Sequence, residues 1–399
     1  MLVTYNYKEE SMWVLGRALR MGPLHKLHSF FQYPARFPLH IVDHMMKRYS
    51  GSYLDPFAGS GTVLVHAYYL GHKAKGYDLL PILPLMVKAK IDILEKRINV
   101  NEIENILKNV EEGQCAYPWL REWWPKEAQG LACGLIEIIR DNVKVKGCGV
   151  QSDNPALILM ALELARRISW ADDSVYKWFR SKMKRKKMEE IIAKGKLREY
   201  YLSLLERKVK ALKLLLSNIP RPRGSEVKAK GCKDILRVRD GAEVIFTSPP
   251  YLQAHEYVRS FKYEMLMLGL SIDVVRALGK LEIPYREVKC DYEGKLYLEY
   301  MERVRPELRP IYRNYFCSLF KVFESLEANV IALFTGPASL SGISVPIHEI
   351  MKEYFEEKGF REVERVEDPI RRRRLFKGRN NRNSDGIEKE VMQVFRIRH

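Results

Sequence analysis

A short apolar strand that stops at Asp-Pro and runs through a two-glycine turn into a helix constrains this chain more than any other feature. Ser52-Tyr53-Leu54 is the strand, broken at Asp55-Pro56. Phe57-Ala58-Gly59-Ser60-Gly61-Thr62 is the turn, in which Gly59 and Gly61 permit close approach of backbone to a ligand. Thr62 to Leu70 reads as a helix ended by Gly71. Free backbone N–H groups point outward where such a turn meets a helix start, which makes it a place for a ligand. Lys73 to Asp78 reads as a second strand ending in an acid. A carboxylate about 20 residues beyond the first strand suits the two ribose hydroxyls of a nucleoside. The turn reads F-A-G-S-G-T rather than G-x-G-x-x-G, so a nicotinamide dinucleotide is a weak alternative. A generic strand-turn-helix of any doubly wound sheet is the bland one.

A second segment narrows the chemistry. Ala242 to Thr247 is a β-branched and aromatic run, hence a buried strand, and it opens into Ser248-Pro249-Pro250-Tyr251. Two consecutive prolines fix φ and supply no donor, so the chain leaves the sheet as a rigid loop with carbonyls free to accept. The two segments resemble the cofactor and target-base motifs of S-adenosylmethionine-dependent amino methyltransferases of nucleic acids, of the N4-cytosine/N6-adenine type, in an archaeal-looking member. The resemblance implies S-adenosylmethionine as cofactor and an exocyclic amine of a base as acceptor. The lone pair of such an amine is delocalised into the ring. Acceptors around its N–H bonds draw the nitrogen toward a tetrahedral state. Ser248 Oγ and the Pro249 carbonyl are the expected acceptors, Pro250 stiffens the loop, and Tyr251 is expected to stack on a base taken out of its helix. Serine in the first place is most typical of N4-cytosine members, aspartate or asparagine of N6-adenine members, which tilts the reading to cytosine.

Other stretches carry the same resemblance, which covers about residues 25–95 and 228–399. His28 to Pro38 resembles the segment that closes over the methionine end of the cofactor. Gly231 to Leu236 stands where the family often has Gly-Asp-Ala-x-x-Leu, with Cys232 in the aspartate's place and Asp234 two residues on. Ala254 to Leu270 resembles a tyrosine- and histidine-bearing helix, and Gly378 to Glu390 a polar loop before the last strand. The implied cofactor-binding residues are Phe37, Pro38, Asp55, Phe57, Gly59, Gly61, Thr62, Asp78 and Asp234.

The net charge of +18 suits a polyanionic partner. The 30% of charged residues, rich in Lys, Arg and Glu, also suits a heat-adapted protein. Runs of like charge repel unless an anion meets them. Two such runs are expected to contact nucleic acid: Arg371, Arg372, Arg373 and Arg374, and, within a longer run, Lys184, Arg185, Lys186 and Lys187. The lysine run has the alternative of a solvated helix face. None of the six cysteines sits in a Cys-x-x-Cys pair, so no structural zinc is expected and reduced thiols in a cytosol are the simple account. There is no signal peptide and no run of 18 apolar residues, so a cytoplasmic protein with no membrane contact is expected.

Three parts follow along the chain. Residues 1–100 hold a strand-rich entry arm, the glycine turn and a helix to about Leu94. Residues 101–225 are mostly helical, with one helix starting at Asn154-Pro155 and a second, long and amphipathic, through Leu197 to Leu216. Trp119, Trp123 and Trp124 read as a core plug. Residues 226–399 return to strand-helix alternation. The expected fold is α/β, a doubly wound Rossmann-like methyltransferase sheet with a largely helical insertion serving as candidate recognition module. Both motifs fall at carboxyl ends of strands, where such sheets bind ligands. The insertion permits DNA or a structured RNA such as ribosomal RNA. RNA stands slightly ahead here, on the look of the insertion and the net charge. A methyltransferase-like binding protein without catalysis is the alternative of another class.

Overall fold

Eight strands form the central sheet of the computed structural model, which describes residues 3–6, 22–34, 36–174, 176–252, 256–340, 342–369 and 389–398. They are β1 (Val3–Asn6), β2 (Tyr53–Asp55), β3 (Ala74–Tyr77), β4 (Val227–Lys230), β5 (Val244–Thr247), β6 (Val330–Thr335), β7 (Phe360–Pro369) and β8 (Lys389–Ile397). Their spatial order is β1-β7-β8-β6-β5-β2-β3-β4. Strands β4, β3, β2, β5 and β6 are parallel, and β8 runs antiparallel between β6 and β7. From β2 the chain proceeds outward through β3 and β4, then returns to β5 on the other side of β2. This reversal creates a switch point between β2 and β5, and a crevice opens there beyond the carboxyl ends. The fold is the expected doubly wound, Rossmann-like sheet.

Both faces of the sheet are buried, and alternate residues go to opposite cores. Tyr53, Val244, Phe246, Ala332 and Phe334 join one cluster, while Leu54, Ile245, Ile331 and Leu333 join the other. The first is covered by α1 (Pro23–Phe30), α2 (Leu39–Arg48), α3 (Thr62–Leu70) and α4 (Leu83–Leu94). Helices α5 (Val100–Lys108), α6 (Lys126–Asp141), α7 (Pro155–Arg167), α8 (Lys182–Ala193) and α9 (Leu197–Asn218) follow in the middle of the chain. The second core is covered by α10 (Arg309–Glu324) and α11 (Ile347–Glu357).

The helical stretch 101–225 has no core of its own: Leu131, Leu135, Leu157, Met160 and Leu212 belong to the cluster that covers the sheet. Helix α7 starts where the sequence places it, with the Asn154 side chain accepting from Leu157 N at 3.2 Å. The tryptophans do plug the core. Trp124 is 1% exposed and donates to the Ala165 carbonyl at 2.9 Å. Arg166 of α7 forms a buried ion pair with Glu264 at 3.1 Å, and Trp178 Nε1 donates to the same carboxylate at 2.8 Å. The middle of the chain is thereby bonded to the segment that follows Ser248–Tyr251.

Several expectations change. Among its described residues the entry arm contributes one strand, the four-residue β1, and then helix α1, begun by Pro23 and packed through Leu27, His28 and Phe30. Lys184 is not a nucleic-acid contact. It is 4% exposed, and its Nζ bonds the Arg167 carbonyl at 2.7 Å and Asp173 at 2.9 Å, because it lies on the inner face of α8. Arg185 pairs with Glu189 along the helix, Lys187 reaches Tyr200 Oη at 3.0 Å, and Lys186 is exposed. Arg371, Arg372, Arg373 and Arg374 lie outside the described residues, as does Gly378 to Glu388 of the polar loop. Strands β7 and β8 pair antiparallel over Phe360–Pro369 and Lys389–Ile397. Among the described residues no helix is long and apolar enough to cross a membrane.

The cysteines are not free thiols. They form the disulfides Cys115–Cys133, Cys148–Cys232 and Cys290–Cys317, with Cα separations of 5.7, 6.0 and 5.3 Å. Partners stand 18, 84 and 27 residues apart, so no local spacing reveals them. The reduced thiols expected of a cytosolic setting are therefore not present among the described residues. In the chain-entropy account, closing loops of this size contributes about 3 to 4.5 kcal/mol each. Alkylation of the unfolded, unreduced protein should therefore label no cysteine. Full reduction should lower the unfolding midpoint in guanidinium; labelling of six thiols without reduction would contradict the pairing.

Candidate active site

The first motif is built from the end of β2 upward. Asp55, at that end, is 2% exposed and accepts from Thr247 Oγ1 at 2.7 Å and from Phe57 N at 3.1 Å. Burial pushes its pKa up to about 7. Its carboxylate thus joins the end of β2 to the end of β5 from below. The turn is closed by Ala58 N to the Tyr77 carbonyl at 2.9 Å and Gly61 N to the Ala58 carbonyl at 2.7 Å. Gly59 and Gly61 have φ of +52° and +74°, the left-handed region that favours glycine. A Cβ on Gly61 would lie 2.2 Å from Val87 Cγ2 of α4, whereas one on Gly59 would meet the Tyr33 ring at 3.2 Å. Gly61 therefore serves helix packing, and Gly59 leaves room for the Tyr33 ring over the turn.

Asp78 follows β3 and is half-buried, as the spacing predicts. Its Oδ2 accepts from Gly59 N and its Oδ1 from Leu80 N, both at 2.8 Å. Burial raises its pKa to about 6 against the backbone bonds from Leu80, Gly59 and Leu79. Glycine turn and acid are thus in direct contact, and the residues fit a nucleoside with a ribose: a cradle that a side chain would fill, beside a carboxylate with lone pairs to spare.

Ser248, Pro249, Pro250 and Tyr251 leave β5 next to this cradle. Thr247 is fully buried, Pro249 is buried, and Ser248 is half-buried with no described residue bonding its hydroxyl. Tyr251 Oη donates to Glu390 at the start of β8. This bond fixes the ring's far end, so its face is set by the sheet.

The other expected residues divide. Phe37 lies over the strand ends, 4.9 Å from the Phe246 ring and 5.1 Å from Phe334, and Pro38 caps α2. Phe57 is half-buried at the turn. Thr62 is 3% exposed and shares a hydrogen bond with Ser60, so, like Asp55, it shapes the turn from inside instead of facing the cleft. Asp234 lies beyond β4 with its carboxylate held by Arg286 at 2.5 Å and Arg237 at 3.3 Å.

Sequence reasoning missed three features. Tyr33 lies over Gly59, and its ring stacks with Tyr257 at 6.3 Å and meets Phe261 at 5.3 Å. Glu282 accepts from Val258 N at 3.2 Å, and burial raises its pKa to about 7. Lys90 of α4 is fully buried and donates to the Ser60 carbonyl at 2.6 Å; burial, then the Arg36 charge, lowers its pKa to about 7. The signal for Lys90 was available, since it occupies the inner stripe of α4 between Met86 and Ile93.

No family model matches the chain. It is similar to the Type II methyltransferase M.BsoBI of Geobacillus stearothermophilus, at 23% identity over 355 residues, 81% of this chain and 65% of that protein. It is also similar to the Type II methyltransferases M.AvaI of Nostoc sp. (strain PCC 7120) and Anabaena variabilis. Each is 23% identical over 278 residues, 61% of this chain and 54% of theirs. The chain thus spans a little over half to under two thirds of the length of the curated relatives it matches.

The two glycines should respond differently. Gly61→Ala forces Val87 to move and strains the backbone, and should cost about 2–4 kcal/mol of stability. Gly59→Ala should cost less, about 1–2 kcal/mol, from the left-handed penalty and a shift of a few tenths of an ångström in the half-buried Tyr33 ring. Chemical denaturation of both variants checks this, and equal losses would contradict the division of roles.

Proposed function

We propose that the chain is an S-adenosylmethionine-dependent methyltransferase that acts on the exocyclic N4 amine of cytosine in DNA. The observation that carries this is the convergence, at the switch point, of the Gly59 turn with Asp78 and the Ser248-Pro249-Pro250-Tyr251 loop, tied by the Asp55–Thr247 hydrogen bond. The likeness to Type II methyltransferases supports methyl transfer and favours DNA over the RNA that the sequence placed slightly ahead. Burial of Lys184 further weakens the view of the middle segment as an RNA-docking module.

The cofactor supplies an electrophilic methyl group on a sulfonium. The chain's residues bind, orient and accept. Backbone at Phe57, Gly59 and Gly61 approaches the nucleoside, and Asp78 accepts from the ribose hydroxyls. Ser248 Oγ and the Pro249 carbonyl accept from the two N–H bonds of the target amine and turn its lone pair out of the ring. The face of Tyr251, anchored through Glu390, stacks on the base. The methylated amine is acidic and loses its proton to water, so no strong base is required.

Ser248→Ala should lower turnover at least about tenfold, the loss expected when about 1.4 kcal/mol of transition-state stabilisation goes. Tyr251→Ala should do the same, with cofactor affinity barely changed in either variant. Mass spectrometry of nucleosides from DNA and RNA treated with the protein and labelled cofactor reads product and polymer together. N4-methylcytosine in DNA is expected; N6-methyladenine would move the target, label in RNA alone would restore the RNA reading, and no label in either would remove the assignment.

Cofactor binding should follow the Asp78 carboxylate. An ionised carboxylate accepts two hydroxyl bonds and a protonated one does not. With a pKa of about 6, affinity should be full above about pH 7 and fall as pH drops through 6. Asp78→Asn should bind weakly at every pH. Calorimetry from pH 5 to 8 checks the sign, and a pH-independent affinity would dissociate Asp78 from the ribose.

A further inference from the structure

A cleft lies at the pole opposite the crevice, where the parallel strands begin. It encloses about 890 Å³ and is lined by Val244 and Val330 at the starts of β5 and β6, by Tyr49 and Ser50 after α2, and by four arginines. These are Arg48, Arg361, Arg396 and Arg398. Arg48 is held by Glu364 at 2.8 Å. Arg361, Arg396 and Arg398 are exposed, and no described residue pairs with their guanidinium groups. One carboxylate, Glu243, also lines the cleft, and it is engaged by Ser52 N and Ser52 Oγ.

The strand register sharpens the point. Arg361 of β7 and Arg396 of β8 are direct cross-strand partners, so their side chains leave the same face. Like charges directly opposite are destabilising. Two residues further on, Arg398 N is bonded to the Gly359 carbonyl, which keeps the third arginine beside the pair. Nothing in the fold needs three unneutralised guanidinium groups at the end of a hairpin. Guanidinium is the side chain whose planar fork fits phosphate oxygens in pairs. The volume suits several phosphate groups better than one.

We infer that this cleft binds the phosphodiester backbone of a nucleic-acid segment other than the one presented to the target loop. Between Val244 at the cleft and Thr247 at the loop lies about 10 Å of β5, at about 3.3 Å per residue, with the two packed cores on either side. A segment held here does not enter the crevice. It is a distal flank of the same polymer, gripped by charge and without sequence reading. The inference goes beyond the proposed methyl transfer and is read by binding alone, so failure of one leaves the other standing.

The test uses the full chain with Arg361, Arg396 and Arg398 all changed to Ala, and compares binding of a long duplex at several salt concentrations with the unchanged protein. Each lost phosphate contact should reduce the slope of log affinity against log salt by roughly 0.9, so the triple variant should lose roughly 2 to 3 units. The triple change to Lys, which keeps the charge, should retain most of the slope. Glu243→Gln, which keeps an acceptor for Ser52 and removes the only lining carboxylate, should tighten binding. A short duplex that spans only the crevice should bind all variants equally. Inorganic tripolyphosphate, titrated separately, distinguishes a free oligophosphate: if the alanine variant loses tripolyphosphate binding yet keeps the duplex slope, the nucleic-acid assignment is overturned. An unchanged slope with unchanged tripolyphosphate binding overturns the cleft altogether.

Discussion

The hydrogen bond from Thr247 to Asp55 is the constraint on which the site depends. It joins two strands that are neighbours in the sheet and nearly two hundred residues apart in sequence. Asp55 ends β2 and opens the glycine turn; Thr247 ends β5 and opens the proline loop. A bond between these two residues sets the distance and angle between a bound nucleoside and a target base. It is buried on both sides, so breaking it would leave a polar group without water or partner. The raised pKa of Asp55 reflects the same burial and is the cost of placing a carboxyl at this hinge.

Much of this arrangement was legible in the sequence because it rests on local rules. Helix α3 has the expected bounds because Gly61 begins it and Gly71 ends it in left-handed conformations. Asp78 falls beside the turn because strand, turn and helix lengths are fixed in a doubly wound unit. The unbroken β-branched and aromatic run that ends at Thr247 announced a buried strand, and Val244–Thr247 is buried throughout. What escaped depends on contacts across long separations. Lys184 belongs to a run of basic residues, and only the orientation of α8 shows that it is the buried one of the run, bonded to Asp173. The cysteine pairs, the Arg166–Glu264 ion pair and the position of Tyr33 over Gly59 all require the tertiary fold. Asp55 and Thr62 stand at the turn with their side chains buried, since a motif fixes where a residue stands and not which side of the backbone its side chain takes.

The middle of the chain also departs from a modular picture. Its helices complete the core on one face of the sheet, and its Arg166 and Trp178 hold Glu264. Whatever this region recognises, it does so rigidly coupled to the segment after the proline loop. Net charge, by contrast, is a property of the whole surface, and the sequence gives no sign of which arginines converge. The hairpin register does: Arg361 and Arg396 stand 35 residues apart and face each other across β7 and β8.

Strand β8 is the one reversed member of the central strands, and its direction has a further consequence. Because it runs against β6, its first residues rise beside the proline loop and its last residues descend to the opposite pole. Glu390 is delivered to Tyr251 by the same nine-residue segment that delivers Arg396 to the arginine cleft. A single stiff rod, bonded along its length to both neighbours, runs from the proline loop to the arginine cleft. A shift of that rod along its axis moves both ends together, so tension applied at one pole has a mechanical path to the aromatic ring at the other.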